Sequence, residues 1–286
     1  MSPGTIRVQA HAKVNLVHRV LRRRSDGMHE LESLVTPVSL ADDVDVEPHE
    51  HVRLEVTGPA PLVSGVPVDE TNLAFRAAVA LAHACPSAKG ATIRVGKRIP
   101  VAAGLGGGSA DAAAALRALD ELWGCGLGPR ELAEAAAHVG SDVPALVLGS
   151  PVVVRGSGAL VEPATVRPVH LVLLPSDFPV TAEDAYRWWD ADDRDPGPSI
   201  EPVVDAAVRG DVEALAAGMA NDLEGPVERR HPEVGRARER LLAAGAVGAM
   251  MSGSGPTVFG VCRDEAHARV VASAVGPSAV AVTTLG

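Results

Sequence analysis

The sequence predicts an α+β protein in two parts that divide near residue 150. Three observations carry this. Ile6–Leu16 and Ala91–Val101 alternate apolar and polar residues with the period of a strand. The runs beginning at Thr71, Ala110 and Arg130 space their apolar residues as helices do. Beyond Ser150 the chain changes to short strand-and-turn segments before helical patterns return.

Taken in order, Ile6, Val8, Ala10, Ala12, Val14 and Leu16 fall on one face of the first strand, and Arg7, Gln9, His11, Lys13 and Asn15 on the other. Asp26-Gly27 is a hairpin turn signal, and a second strand-rich run follows from His29 to about Val46. TNLAFRAAVALAHA reads as a helix with Thr71 as its cap. The segment from Ala91 leads as a strand into VAAGLGGGSADAAAAL, and a helix runs from Ala110 to about Trp123, with Ala112, Leu116 and Leu119 facing the core. RELAEAAAHVG is a further helix, stopped by Gly140. PVVVRGSGALVEP, from Pro151, reads as strands and turns, and ADDRDPGPSIEP, from Ala191, as an exposed loop. Helices are expected over Val203–Ala217, Pro232–Ala244 and near Glu265–Ala274, with an apolar strand at the end.

The 286 residues fit two modest domains or one large one, and 47% hydrophobic content leaves room for a core. Aromatics are only 2%, so that core must be built from Ala, Val and Leu. A formal charge of -10 argues against a general nucleic-acid binder, which needs clustered Lys and Arg, but permits a local anion site. No apolar stretch is long enough to span a bilayer. Cys85, Cys125 and Cys262 stand far apart without a CxxC pair and read as free thiols of a cytoplasmic protein.

Four glycines fall within Gly104–Gly108, directly before a helix. A strand, a glycine-rich loop and a helix N-terminus form an anion device: backbone N–H groups turn towards a phosphate with no Cβ in the way, and the helix dipole adds partial positive charge. The Walker pattern is absent, since Ser109 follows Gly104 with no Lys near, and GxGxxG fails at its third position. Ser109 can cap the helix or offer its hydroxyl to a phosphate or metal ion. The bland alternative is a flexible helix entry.

Lys13 and Asn15 have two readings, a solvated strand face or a cation and an amide lining a cleft. Asp142, before Pro144, reads as a helix N-cap or as a base or metal ligand, and the two roles are compatible. MSGSGP, Met251–Pro256, is a second small-residue loop, either a plain turn between helix and strand or a second wall of one site. His49 and His51 flank Glu50 in an exposed-looking stretch, a poor zinc pattern.

AKVNL at Ala12, RRSDGMHELESL at Arg23, PVAAGLGGGSADAA at Pro100, GSDVP at Gly140 and MSGSGPTVFG at Met251 together resemble the GHMP small-molecule kinases. NLAFRAA at Asn72 and NDLEGPV at Asn221 extend the likeness over nearly the whole chain. The pairing of AKxNL with DGxHEL points to the branch acting on a cytidyl-diphosphate substrate. The resemblance implies an N-terminal domain like ribosomal protein S5 domain 2 over residues 1–155 and a ferredoxin-like domain over 156–286. It implies ATP and Mg²⁺ as cofactors, with the ATP phosphates on Pro100, Val101, Ala102, Ala103, Gly104, Leu105, Gly106, Gly107, Gly108, Ser109 and Ala110. The γ-phosphoryl group would pass to the tertiary 2-hydroxyl of a methylerythritol unit, in the non-mevalonate route to isopentenyl diphosphate.

By the same resemblance Lys13 and Asp142 are catalytic, Asn15 and His29 bind substrate, and Ser109 is a metal contact. Relatives carry an aromatic where this chain has Met28; such a ring would stack on cytosine, worth about 1–3 kcal/mol. Tyr186, the single tyrosine, stands where relatives often place a ring and is expected to bind substrate. The implied enzyme binds neither nucleic acid nor membrane, and monomer and homodimer both remain open. The rivals are a GHMP kinase for homoserine, mevalonate or a sugar, and a nucleotide-binding protein without turnover.

Overall fold

The computed structural model describes residues 4–158, 160–192 and 197–286. In chain order the elements are β1 (Ile6–Arg23), β2 (His29–Pro48), β3 (Arg53–Thr57), α1 (Ala60–Val63), α2 (Leu73–Ala84), β4 (Ala91–Gly96), α3 (Gly107–Trp123), α4 (Pro129–Ala137) and α5 (Val143–Val147). There follow β5 (Val152–Gly156), β6 (Leu160–Pro163), β7 (His170–Leu174), α6 (Ala182–Asp190), α7 (Glu201–Arg209), α8 (Val212–Gly218), α9 (Glu224–Glu228), α10 (Glu233–Ala243), β8 (Gly248–Met251), β9 (Val258–Cys262), α11 (Glu265–Val275) and β10 (Val280–Thr283). The fold is α+β, as the alternating and helical periods require.

The chain forms two interleaved compact units. The first holds Met1–Lys13, Leu40–Val101 and Gly106–Gly149; the second holds Val14–Ser39, Ala102–Leu105 and Ser150–Gly286.

In the first unit the later half of β2 pairs antiparallel with β4, in register from Asp43↔Gly96 to Pro48↔Ala91. β3 lies parallel to β4, joined to it through α1 and α2. The helices α2 to α5 pack on one another beside this sheet. Their core is built mainly of Ala, Val and Leu, and Ala112–Leu116 of α3 are all buried. Small side chains let helix axes approach closely, which is how a chain poor in aromatics still fills its interior.

In the second unit the early half of β2 pairs with β5, and β5 with β6. A four-stranded antiparallel sheet in the order β10-β7-β9-β8 carries α10 and α11 on its surface. A helix expected over Val203–Ala217 is divided into α7 and α8 by Gly210, whose φ of +71 ends α7.

Several expectations change in the structure. Asn72, not Thr71, caps α2, its side chain accepting from the Ala74 amide, while Thr71 bonds to Asp69. α3 begins at Gly107, three residues before Ala110, because Gly106 takes a left-handed conformation that starts the helix earlier. α4 ends at Ala137, ahead of Gly140. MSGSGP connects β8 to β9, two strands rather than a helix and a strand. Residues 193–196 of the expected Asp- and Pro-rich loop lie outside the described residues.

The expectation of free cysteines is also corrected: Cys85 and Cys125 form a disulfide, and Cys262 alone is free and buried. Packing of α2 on α3 brings the residues after their C-termini to a Cα–Cα distance of 5.4 Å, within bridging range. Spacing along the chain could not reveal this.

A disulfide across 40 residues stabilises by about 4 kcal/mol through the unfolded chain. Urea unfolding with and without reductant checks it: reduction should lower the midpoint of the native chain and leave that of Cys125→Ala unmoved.

Candidate active site

The first unit gathers one set of expected residues around the start of α3. The N-cap, Gly106, has φ +67 and offers no side-chain cap, and α3 carries no acidic residue in its first turn. Helix geometry then leaves the amides of Gly107, Gly108 and Ser109 without intrahelical partners, whereas the Ala110 amide bonds to the Gly106 carbonyl. Ser109 sits inside the first turn and does not cap it.

The three glycines here have different physical causes. Gly106 needs its left-handed φ, and a Cβ would stand 3.0 Å from Lys13 Cγ. At Gly107 a Cβ would press on Ile99 Cγ2 at 3.0 Å. At Gly108 the nearest atom would be Leu73 Cδ1 at an ordinary 3.7 Å, and the residue is exposed. Nothing in the protein requires glycine at position 108.

Lys13 does not lie on a solvated face. β1 is buried from Ala12 to Val20, so its polar side is covered in turn, and Lys13 is buried with it. Lys13 Nζ lies 3.9 Å from Asp142 Oδ2, the two side chains being 7% and 54% exposed. Burial pushes the Lys13 ammonium below its usual range, and the Asp142 charge only partly opposes this. Asp142 occupies the N-cap position of α5, but its carboxylate makes no cap hydrogen bond. It is therefore not spent on the helix.

A second cationic group, which sequence reasoning missed, lies just upstream. Lys97 Nζ donates to Asp42 Oδ2 at 2.5 Å and Asp111 Oδ2 at 2.7 Å, all three side chains being buried. Burial works against the Lys97 charge, but Asp111 and Asp42 outweigh it and raise its affinity for a proton. Asp111 is raised to about 7, chiefly by burial and further by Asp42, against the pull of Lys97. A lysine at a strand end before a glycine loop was the available signal; its partners are 55 and 14 residues away.

The second unit holds the other set. Ala102–Leu105 rest on the loop between β8 and β9: Thr257 N–H donates to the Ala103 carbonyl, and Ser252 Oγ to that of Gly104 at 3.1 Å. A Cβ on Gly104 would meet the Ser252 carbonyl at 2.2 Å, so close backbone approach requires glycine there. Asn221 holds that loop by donating to the Met251 and Gly253 carbonyls at 2.8 Å each.

Asn15 is buried and donates to Ser33 Oγ at 2.7 Å. The His29 ring stacks on Tyr186 at 4.6 Å between centroids, and its Nε2 lies 2.7 Å from Asp190 Oδ1. Tyr186 Oη stands 3.1 Å from His18 Nε2. Met28, in the aromatic's place, is 48% exposed. Arg76 donates to the His138 carbonyl at 3.2 Å.

The model of GHMP kinases N terminal domain matches residues 72–150, and that of GHMP kinases C terminal matches residues 203–281. A 4-diphosphocytidyl-2-C-methyl-D-erythritol kinase from Symbiobacterium thermophilum is 45% identical over 92% of this chain and 93% of its own. The chain belongs to the GHMP kinase family. A kinase of the same name from Pelotomaculum thermopropionicum is 41% identical over 92% of this chain and 91% of its own. A crystal structure of 4-(cytidine 5'-diphospho)-2C-methyl-D-erythritol kinase matches this GHMP kinase with TM-score 0.83 and 38% identity, over 98% of this chain and all (100%) of that one. A homoserine kinase from Cytophaga hutchinsonii, at 19% identity and TM-score 0.75 over 100% and 96% of the two chains, shares the fold.

Among the described residues of this GHMP kinase, no cluster of three or more His, Cys, Asp or Glu could hold a metal ion, and no helix is long and apolar enough to cross a membrane.

Asp111 supplies a pH test. Its folded-state value of about 7 exceeds the ordinary 3.8, so the folded chain keeps a proton that the unfolded chain releases. This contribution is present below 3.8 and lost as pH rises to about 7. Urea midpoints at pH 5 and pH 8 check it: the native chain should lose stability between them, and Asp111→Asn should lose less.

Proposed function

We propose that this GHMP kinase transfers the γ-phosphoryl group of ATP to the tertiary 2-hydroxyl of 4-diphosphocytidyl-2-C-methyl-D-erythritol, giving the 2-phosphate and ADP. The relatives at 45% and 38% identity carry the substrate assignment. The structural observation that carries the phosphate assignment is the open start of α3: three amides without intrahelical partners, no cap, no acid, and a glycine at 108 that the protein's own packing does not demand. A helix residue is more stable as alanine than as glycine by about 0.5–1 kcal/mol, so the space is kept for a ligand that approaches the backbone.

In this reading the segment Pro100–Ala110 receives the triphosphate, with the Gly107–Ser109 amides as donors. Asp142, exposed and free of cap duty, accepts the proton of the 2-hydroxyl as its oxygen bonds to the γ-phosphorus and the bridging P–O bond to ADP breaks. Lys13, 3.9 Å away, offsets the negative charge that develops during transfer. Asn15, His29 and Tyr186 hold the cytidyl substrate, the stacked His29–Tyr186 pair supplying the flat surface that Met28 lacks.

Asp142 and Ser109 are one carboxylate and one hydroxyl, a donor set too small for a resident ion but suited to Mg²⁺ arriving on the nucleotide and keeping much of its own shell. When bound, that ion neutralises phosphate charge. The domains are assigned to residues 1–155 and 156–286, supported by family matches that fall within each. ATP dependence supports a cytoplasmic setting, against which the Cys85–Cys125 disulfide is the contrary observation.

An ADP-release assay across the cytidyl substrate, homoserine and mevalonate tests the reading; turnover of either of the latter in place of the first overturns it. Asp142→Asn should cut kcat by about 10²-fold or more with ATP affinity nearly retained. Gly108→Ala should match or exceed the native melting temperature yet bind ATP more weakly, as measured by calorimetric titration. Equal affinity would mean that no phosphate approaches that backbone.

A further inference from the structure

One ammonium group fastens both ends of the first unit's part of the glycine loop. Lys97 stands at the exit of β4, where the loop begins. Asp42, fully buried in β2, accepts from Lys97 Nζ at 2.5 Å and, through Oδ1, from the amides of Arg98 at 2.5 Å and Ile99 at 2.8 Å. On its other side Lys97 reaches Asp111 Oδ2 at 2.7 Å, inside α3. Its Nζ lies 3.5 Å from where a Cβ on Gly107 would stand, and Ile99 Cγ2 lies 3.0 Å from that point. The chain entering the loop at 97–99 and the chain leaving it at 107–111 are thus locked to one another.

Such a cluster is costly. Three ionisable groups are withdrawn from water, and apolar residues of similar volume usually stabilise at least as well. Asp111 Oδ1 is buried without a hydrogen-bond partner, so even the polar accounting is incomplete. What ions provide that apolar contact does not is direction: fixed donor–acceptor vectors that hold a helix end in place.

We propose that Asp42, Lys97 and Asp111 are positioning residues for the nucleotide, fixing the Gly107–Ser109 amides by tying the start of α3 to the end of β4. This rests on the ATP-dependent reading above. The three side chains act through the backbone and touch no substrate. Asp111 serves as the link to α3, Lys97 as the bridge, and Asp42 as the anchor that also orders the loop's first two amides.

Steady-state kinetics with each substrate varied in turn, together with thermal melting, test the proposal. Asp111→Ala leaves Lys97 and Asp42 as a neutral pair and puts the best helix former into α3, so the fold is retained. The expected result is a KM for ATP raised about tenfold or more, since small misplacements of binding groups are costly. The KM for the cytidyl substrate should stay within about twofold, and the melting temperature should not fall. Asp111→Asn, which keeps an acceptor for Lys97, should restore the KM for ATP to within about threefold.

An unchanged KM for ATP in folded Asp111→Ala overturns the proposal. So does a fall in kcat and melting temperature with both KM values unchanged, which is the signature of a merely structural role. An Asn variant as impaired as the Ala variant overturns it too. If the Ala variant does not fold, Asp42→Asn decides by the same KM comparison, because it keeps the acceptor for the loop amides and loosens Lys97. Native protein that binds no ATP overturns the functional reading and this proposal together, whereas normal native turnover with unaffected variants overturns this proposal alone.

Discussion

A helix that begins without a cap leaves hydrogen-bond donors unmet, and much of the first unit is arranged around that condition at α3. Gly106 turns the chain into the helix in a left-handed conformation that also makes room for the Lys13 stem. Gly107 allows the helix to sit against Ile99. Gly108 adds no side chain to the exposed turn. Gly108 forgoes stability that a side chain would have given, and the missing cap commonly costs about 1 kcal/mol. The gain is a cluster of oriented amides, a device that needs no net positive charge. Such a device is compatible with a formal charge of -10, since it rests on local dipoles rather than on clustered Lys and Arg.

The two buried lysines of this unit show how environment assigns role. Lys97 has two buried carboxylates at 2.5 and 2.7 Å and is held firmly protonated, a fixed strut. Lys13 has its recorded ion pair at 3.9 Å with a carboxylate that is mostly in water, and burial lowers its hold on its proton. The first arrangement spends the charge on internal structure. The second sets a buried ammonium beside an exposed carboxylate, with burial working against its charge.

The second unit gathers some of the chain's few aromatic side chains into a connected cluster of rings and polar groups. His29 and Tyr186 stack, Asp190 meets His29 on one side, and His18 meets the Tyr186 hydroxyl on the other. Trp189 adds an edge contact to His29 at 5.6 Å. A single tyrosine is thus held by two histidines, one of which, His29, directly follows the half-exposed Met28.

The sequence by itself determined the α+β class, most strand and helix positions, the glycine loop and, through motif order, the family and its chemistry. These are local or collinear properties: period, turn chemistry and the spacing of Gly104–Gly108 are written in neighbouring residues. Tertiary structure alone decided which polar residues are buried and with whom. The pairing of Lys97 with Asp42 and Asp111, the Cys85–Cys125 bridge, the covering of Lys13 and the partnership of His29 with Asp190 all join residues distant along the chain. Ion pairs and disulfides depend on separations of a few ångströms in space. No periodicity along a strand or helix encodes such distances, so only packing could set them.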